Sequence, residues 1–451
     1  MATIVFDGRN LLLNRGTGIK TYTRHLIEAA RALDHRAELL VATNQRVPAE
    51  AEIDLQTLLN AIEGERSRDV RMKVAAHFLF GAPFSQKLAS MGIDASNVQL
   101  PATLRPFDKI HAGTALFDTA NYQLNRLGQP LTVRLDSNAS LFHATHATPL
   151  RIASMANIYT IHDIVPLRAP TLTLDNKKIF RATVTSLCRT ADHIVTVSEF
   201  SRRDIIALTG IEENRITNTY QSVELPAEFL TSSEDALSQE LEQFFGLELG
   251  KYFLFVGAIE PKKNLTRLIE AYAASGSRTP LVLVVDLGWQ YDEIVKAIND
   301  ERFLTYAIKG DEITPRRRVR RLGFVPLGRL VSLYRGARAF LFPSVYEGFG
   351  LPVVEAMIAG APVLTSNTTS LAEIAREAAL LVDPYDSEAM ANAIHRLDMD
   401  ADLRAELSSR GRKNAQRFDK ESYQRALASL YQKFIPADRQ SPRTTRSSSS
   451  R

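Results

Sequence analysis

Two successive series of short apolar segments, separated by amphipathic segments, constrain the fold of this chain more than any other feature. Most of the apolar segments are rich in Val, Ile and Leu and lack alternation, which is typical of strands buried on both faces of a parallel sheet. The predicted strands are residues 3–7, 38–43, 158–165 and 193–198, then 251–258, 280–286, 320–325, 337–344, 361–367 and 378–383. The predicted helices include residues 17–33, 176–190, 265–274, 351–359 and 387–397. The pattern predicts an α/β protein with two doubly wound Rossmann-like domains.

The boundary between the two series falls in a polar segment. A chain of 451 residues is too long for one ordinary core, so two domains are expected. The predicted units are a first domain over 1–225, a linker over 226–250, a second domain over 251–415, a terminal helix over 416–435 and a disordered Ser/Arg-rich tail over 436–451.

Composition favours a globular protein of the cytoplasm. Hydrophobic residues make up 45% of the chain and charged residues 24%, and no run of about 18 apolar residues suggests a membrane span. The first apolar segment reaches Asp7 too soon for a signal peptide. Cys188 is the one cysteine, so no internal disulfide is expected, and its helical apolar setting predicts an inert core thiol.

The net charge of +4 bears on partners. No platform of aromatic residues accompanies the basic ones, so nucleic acid is not expected; an anionic membrane surface or a phosphorylated substrate fits better. The basic segment 66–73, followed by the apolar segment 74–80, has two interpretations. It is either an amphipathic patch on the inner face of the membrane or, as we favour, a helical insertion with solvated charges.

The strongest signal of a site is the segment 342–357. A predicted strand leads into a turn with Gly348 and Gly350, which let the backbone approach a ligand or adopt positive φ. A helix is predicted to begin near Leu351, so its free amides and positive dipole end would face a phosphate.

Two carboxylates flank this turn. We expect Glu347 to bind sugar hydroxyls, the backbone amides from Phe349 to Leu351 to hold a pyrophosphate, and Glu355 to reach a ribose diol. The alternative interpretation is that Glu347 caps the helix and Glu355 is a solvated helix residue.

A glycine pair follows the first strand of the first predicted domain, and a basic pair follows the first strand of the second. Lys262 and Lys263 follow strand 251–258, where Lys263 is expected to neutralise a diphosphate leaving group; a solvated pair near a helix cap is the alternative. Gly16 and Gly18 permit close backbone approach, but Thr21 breaks the G-x-G-x-x-G fingerprint, so an ordinary tight turn is equally compatible.

Histidines cluster near strand ends of the first domain, at His143, His146 and His162. Asp163 is placed to orient His162. Without a Cys partner or a His-x-x-x-His pair, a metal site is not expected. Structural histidines are the alternative. Ser198 is predicted to cap the helix that follows it, a structural role.

The Glu347…Glu355 segment, Glu-Gly-Phe-Gly-Leu-Pro-Val-Val-Glu, resembles the E-x7-E element of glycosyltransferase family 4. Residues 257–265 resemble the family's Gly…Pro-x-Lys-Asn loop, and the likeness covers roughly residues 1–30 and 140–430. It implies a GT-B fold with two domains facing across a cleft, the acceptor on the side of the first and the donor mainly in the second. It also implies retention of anomeric configuration without a bound metal or other cofactor.

We expect catalytic roles for Glu347, Lys263, His146 and His162. The resemblance implies that Glu347 is a donor ligand, that Lys263 contacts the diphosphate, and that the family's cleft histidine maps near either His143 or His146. It implies that the donor-binding residues are Gly16, Gly18, Lys262, Gly348, Phe349, Gly350, Leu351 and Glu355. The chain departs from the family at Ala258, where arginine is frequent, and at residues 220–223, where Asn-Gly-Val is usual.

The same motifs are similar to those of bacterial mannosyl- and rhamnosyltransferases of surface polysaccharide assembly. The resemblance therefore implies transfer of a hexose, with GDP-mannose as the first expected donor, to a glycan or lipid-linked glycan acceptor. The alternatives are a nucleotide-sugar epimerase, a phosphorylase, or a non-catalytic protein that binds a nucleotide sugar.

Overall fold

A computed structural model describes residues 1–12, 18–44, 86–92, 101–286, 292–309 and 312–435. Two large sheets organise these residues, and helices cover both faces of each sheet. No helix in the described ranges is both long and apolar enough to cross a bilayer. The basic segment 66–73, Gly16 and the tail over 436–451 lie outside the described residues.

The first sheet has eight strands in the order β11-β10-β9-β7-β1-β2-β5-β4. All neighbours are parallel except β4, which is antiparallel to β5. A small parallel sheet, β3-β6-β8, is formed by strands that alternate along the chain with those of the first sheet. These strands are β1 (Thr3–Asp7), β2 (Arg36–Thr43), β3 (Gln86–Lys87), β4 (Ala89–Gly92), β5 (Lys109–Thr114), β6 (Leu131–Arg134), β7 (Leu141–Ala144), β8 (Leu150–Ile152), β9 (Ala156–Thr160), β10 (His193–Thr196) and β11 (Ile216–Asn218).

The second sheet has six parallel strands in the order β16-β13-β12-β17-β18-β19. A separate antiparallel hairpin, β14-β15, is inserted before β16. These strands are β12 (Phe253–Ala258), β13 (Leu281–Asp286), β14 (Leu304–Lys309), β15 (Glu312–Arg317), β16 (Val319–Leu322), β17 (Ala339–Phe342), β18 (Val363–Ser366) and β19 (Leu380–Val382). Both sheets reverse strand order once, as in doubly wound folds, so the predicted fold class is confirmed.

The described helices connect the strands. They are α1 (Gly18–Ala32), α2 (Leu116–Leu127), α3 (Val165–Arg168), α4 (Lys177–Thr190), α5 (Glu199–Thr209), α6 (Ala227–Leu230), α7 (Glu234–Phe245), α8 (Leu265–Ala274), α9 (Asp292–Ile298), α10 (Leu327–Gly336), α11 (Leu351–Ala359), α12 (Thr369–Ala375), α13 (Ser387–Met399), α14 (Ala401–Ala415) and α15 (Lys420–Gln432). Helix α15 follows the second sheet in sequence but packs against α1 beside the first.

The strands of the second sheet overlap their predicted positions, because most of them are short, mainly apolar segments; β17 and β18 are buried throughout, whereas β16 and β19 each include an exposed residue. The predicted strand over 158–165 is too long, since β9 ends at Thr160. Pro166 instead occupies the first turn of the short helix α3. The buried side chains of Ile161 and Ile164 belong to the loop between them.

His143 does not lie at the cleft mouth. It lies within β7 and is fully buried, with Nδ1 2.8 Å from the Tyr431 hydroxyl of α15 and Nε2 3.1 Å from the Thr160 hydroxyl. Burial lowers the pKa of His143 to about 3, so the ring is neutral. Its role is to fix α15 to the first sheet, which corrects its assignment as a candidate cleft histidine.

Cys188 is buried as predicted, and burial raises the pKa of its thiol to about 11. A thiol in this state is a poor nucleophile, which agrees with the prediction of an inert core residue.

Candidate active site

The strand order defines one topological switch point in each sheet. In the second sheet the order reverses between β12 and β17, and in the first between β1 and β7. Ligands of open α/β sheets bind beyond the carboxyl ends of the strands at such points. The loops after β12 and β17 carry Lys263 and Glu347; Asp7 is the last residue of β1, and His146 lies in the loop after β7.

Asn264 holds the two loops of the second domain together. It has a left-handed φ of 60°, and its side-chain amide donates to the carbonyls of Pro343, at 3.1 Å, and Pro384, at 2.6 Å. The amide of Val345 donates to the carbonyl of Lys262 at 2.8 Å. The sequence analysis quoted Asn264 only as part of a motif and did not assign it this role.

Lys263 and Glu347 form the central contact of the site. Nζ of Lys263 lies 2.6 Å from Oε1 of Glu347, and their side chains are 13% and 10% exposed. Burial opposes ionisation of Glu347, but the charges of Lys263 and Lys262 outweigh it and lower its pKa. The Glu347 carboxylate is therefore ionised and poorly solvated beside Lys263.

Lys262 adds a second positive charge. Burial alone would lower its pKa, but the nearby carboxylates of Glu347, Asp163 and Glu260 raise it, so the ammonium stays protonated. Its Nζ lies 3.5 Å from Glu260. Asp163 belongs to the first domain, so the ammonium of Lys262 interacts with carboxylates of both domains.

Two helix N-termini approach each other across the cleft. Gly350 precedes α11 with φ of +106°, a conformation that requires glycine. A β-carbon added at Gly18, the first residue of α1, would lie 3.3 Å from Cδ1 of Leu351, the first residue of α11. The positive ends of both helix dipoles therefore lie on this gap. Phe349 beside it is buried, its ring 5.3 Å from that of Phe418.

Gly348 approaches protein rather than open space. A β-carbon there would lie 2.7 Å from Oδ2 of Asp163 and 2.9 Å from the carbonyl oxygen of His162. Close contact between the domains therefore requires glycine at this position. From the sequence, only the approach of a ligand or a positive φ was expected to require it.

Glu355 lies on the second turn of α11. It accepts a hydrogen bond of 3.0 Å from the Tyr334 hydroxyl, and burial raises the pKa of its carboxyl group. Glu355 is thus held by a neutral donor and not by a cation, in contrast to Glu347.

His162 is a neutral ring at the domain interface. Its Nε2 lies 2.9 Å from the carbonyl of Thr145, which can only accept, so Nε2 carries the proton and Nδ1 is an acceptor. Burial lowers the pKa of His162 to about 4. Next to it, burial raises the pKa of Asp163, whose carboxylate accepts from the Val165 amide at 3.1 Å.

His146 contacts Asp7 at the switch point of the first sheet. Nδ1 of His146 lies 3.1 Å from Oδ1 of Asp7, which is fully buried. Burial would raise the pKa of Asp7, but His146 and the hydrogen bonds of Thr145 lower it. Nε2 of His146 is buried and has no hydrogen-bond partner among the described residues. Such an atom favours binding of a further polar group.

Contacts along the rim hold the two domains close. The carboxylate of Glu373 accepts from the amides of Glu199 and Phe200, at 2.9 and 2.8 Å, and so caps α5 from the opposite domain. Ser198 caps the same helix, as predicted, but its hydroxyl also donates to the carbonyl of Gly348 at 2.7 Å. Its role is therefore not confined to the helix cap. These contacts join residues about 150 or more positions apart, so no local motif predicts them.

Tyr346 makes a further contact between the domains. Its hydroxyl donates to Asp204, which also lies 2.7 Å from Nε of Arg168. Within the second domain, the Ser370 hydroxyl lies 2.8 Å from the carbonyl of Glu347. These contacts therefore fix the side chain of Tyr346 and the backbone of Glu347.

In the described part of the chain, one group of side chains has spacing suited to a metal ion, namely His25, Glu28 and Glu224. Both of its carboxylates are exposed, and it shares no residue with the Lys263–Glu347 pair.

Comparison with known proteins gives matches over both domains. The family described as "Glycosyl transferases group 1" matches residues 239–414, and the "Glycosyl transferase 4-like domain" matches residues 17–219. O-antigen chain mannosyltransferase B of Escherichia coli is 32% identical over 270 residues, which is 59% of this chain and 67% of that protein. Serotype-specific mannosyltransferase WbdA of E. coli is 29% identical over 231 residues, 50% of this chain but only 27% of WbdA.

Among solved structures, Anabaena Alr3699/HepE in complex with UDP and glucose is similar in fold, with a TM-score of 0.62. It is 18% identical, and the match covers 96% of this chain and 100% of that one. At this identity the likeness establishes the two-domain GT-B fold.

Proposed function

This chain belongs to the group 1 glycosyltransferases, and from that premise we propose that it is a retaining enzyme that transfers mannose from GDP-mannose. The acceptor is a glycan or lipid-linked glycan of surface polysaccharide synthesis. One observation supports the choice of sugar and pathway: the relatives named above are O-antigen and serotype-specific mannosyltransferases.

The observation that carries the proposal is the buried pair of Lys263 and Glu347 at the switch point of the second sheet. When donor binds, Glu347 accepts a hydrogen bond from a sugar hydroxyl, and Lys263 turns to the diphosphate. The N-terminus of α11 at Leu351 and the ammonium of Lys262 add positive potential on the same side. Glu355, on the next turn of α11, binds the ribose hydroxyls.

The reaction breaks the bond between the anomeric carbon and the diphosphate oxygen through an oxocarbenium-like transition state. Negative charge then grows on the diphosphate, where Lys263, Lys262 and the helix amides stabilise it. The acceptor hydroxyl attacks the same face, and its proton passes to an oxygen of the departing diphosphate. No protein nucleophile is required, and the lysines provide the charge that a metal ion would otherwise supply.

The histidines of the first domain bind polar groups of the substrates. Nδ1 of His162 is an acceptor suited to a hydroxyl donor, because its Nε2 proton is held by the Thr145 carbonyl. The buried Nε2 of His146 supplies a further polar atom, with Asp7 orienting the ring. We assign the acceptor to the first domain beside these residues, and the enzyme to the cytoplasmic face of the membrane.

A nucleotide-sugar screen tests the donor assignment. The purified chain is heated with GDP-mannose, UDP-glucose, ADP-glucose and dTDP-rhamnose, and the unfolding midpoint is recorded for each. GDP-mannose should give the largest rise, because a ligand that binds only the folded state stabilises it by mass action. An equal or larger rise with another nucleotide sugar contradicts the donor assignment, and no rise with any of them contradicts the proposed site.

A further inference from the structure

A basic groove lies at the end of the second sheet opposite the active site. It is a cavity of about 1200 Å³ at the amino ends of β12, β13 and β16, whereas the switch point lies at their carboxyl ends. One lysine and six arginines line it, namely Lys251, Arg278, Arg302, Arg316, Arg317, Arg318 and Arg320. We call this set the arginine groove.

Two of these arginines are fixed by the protein. The guanidinium of Arg320 donates to the carbonyls of Phe245 and Gly246, at 2.6 and 3.1 Å. Arg318 donates to the carbonyls of Ser277 and Arg302, both at 3.0 Å. These contacts to neutral carbonyls hold the side chains in place but leave their charge uncompensated.

Arg302 pairs with Asp300, its Nε 3.0 Å from Oδ2, whereas the remaining four cations have no acidic partner within the described ranges. Lys251, Arg278, Arg316 and Arg317 are exposed, and the one acidic residue lining the groove is Glu248. Burial is the main cause that lowers the pKa of Arg320, and the charge of Arg316 adds to it, while Glu242 acts in the opposite direction. An anion bound here would relieve this repulsion.

A two-stranded hairpin next to these charges in sequence exposes an aromatic side chain. Strands β14 and β15 pair with each other and with no other described strand. Tyr306 on β14 is 63% exposed, and Arg316 and Arg317 lie at the base of the same hairpin. Exposed tyrosine and basic residues on one hairpin are both residue types favoured at the interface between lipid headgroups and water.

We propose that the arginine groove and the β14-β15 hairpin dock the protein on a bilayer containing anionic phospholipids. The arginines bind headgroup phosphates, which match guanidinium geometry, and Tyr306 enters the interfacial layer. Docking through this end leaves the cleft at the opposite end of the sheet open to its substrates. The cations come from separate segments and surround a wide groove, which suits several headgroups better than one small anion.

Vesicle flotation tests this proposal with the full chain. Phosphatidylcholine vesicles containing about one third phosphatidylglycerol should bind the wild type, and pure phosphatidylcholine vesicles should not. The double variant Arg316→Glu/Arg317→Glu should bind the anionic vesicles roughly 30-fold more weakly or worse, since each basic residue near such a surface contributes about one kcal/mol. Circular dichroism of each variant checks that the fold is retained.

The matched control is Lys178→Glu/Arg181→Glu, which makes the same change in net charge on exposed positions of α4. This variant should bind anionic vesicles like the wild type. Equal weakening of the two variants would mean that net charge alone attracts the membrane, and would overturn the proposal. It would also be overturned if the wild type failed to float, or if a soluble polyphosphate bound the groove while anionic vesicles did not.

Discussion

Nζ of Lys263 lies 2.6 Å from Oε1 of Glu347, although 84 residues separate them in sequence. The parallel sheet brings them together, because β12 and β17 are neighbours and their carboxyl-end loops meet at one edge. Nζ of Lys263 also lies 4.9 Å from the centre of the Phe342 ring, which orients the side chain. The pair therefore places opposite charges at the point where we propose that a sugar and its diphosphate bind.

Replacing Lys263 by alanine should weaken binding of GDP about 10- to 100-fold, because a charge-assisted contact to the diphosphate is lost. Binding of guanosine, which has no phosphate, should change little. Isothermal titration calorimetry of both ligands measures the difference. Equal affinity of the variant and the wild type for GDP would contradict a phosphate role for this lysine.

Replacing Gly348 by alanine should reduce transfer about 10- to 100-fold while donor affinity changes little, since the new methyl group would push against Asp163 and the His162 carbonyl and separate the domains. Steady-state kinetics and calorimetry together measure this split. Gly92→Ala is the control, because a β-carbon there meets nothing within 4 Å. A Gly348→Ala enzyme with normal turnover would show that the close contact is not needed for catalysis.

The buried histidines predict a loss of stability in mild acid. The pKa of His143 in the folded protein, about 3, lies below the ordinary value of 6.5, so the unfolded chain binds the proton more readily. Its contribution is fully present above pH 6.5 and is lost progressively as the pH falls towards 3.

Between pH 6.5 and about 5, His143 alone should reduce the free energy of unfolding by about 2 kcal/mol. His162, with a pKa of about 4, acts in the same direction. Urea unfolding at several pH values should therefore show a smaller decrease for His143→Gln than for the wild type. Identical pH dependence of the two proteins would contradict a neutral buried His143.

The sequence predicted the second sheet well because most of its strands are short, mainly apolar segments separated by clear helices, with β16 (Val-Arg-Arg-Leu) as the exception. It did not predict β5, whose segment Lys109–Thr114 includes His111. That ring is buried against Glu38, with Nε2 2.8 Å from Oε2, so a polar residue occupies a strand interior. A pattern based on hydrophobicity cannot recognise such a strand, because the compensating partner is 73 residues away.

The candidate site shows the same limit. Local motifs predicted Lys263 and Glu347 as site residues and correctly placed the helix start at Leu351, since glycine turns and helix caps are short-range features. The partner of Gly348 across the cleft, the capping of α5 by Glu373 and the burial of His143 under α15 all depend on how distant segments pack. The spacing of residues along the chain therefore does not predict those contacts.

The turnover of Glu347→Gln tests the central claim most directly. The amide keeps the size of the side chain. It removes the negative charge that holds Lys263 and that strengthens the hydrogen bond proposed to be accepted from the sugar. The control is Asp398→Asn, which removes the charge of a comparable buried pair, 2.7 Å from Arg338 and remote in sequence from the site loops.

Initial rates of mannose transfer from GDP-mannose, normalised to the folded fraction, should fall at least about 100-fold for Glu347→Gln. The rate for Asp398→Asn should stay near that of the wild type, even though its free energy of unfolding decreases. Near-normal transfer by Glu347→Gln would contradict the assignment of the Lys263–Glu347 pair as the centre of the active site.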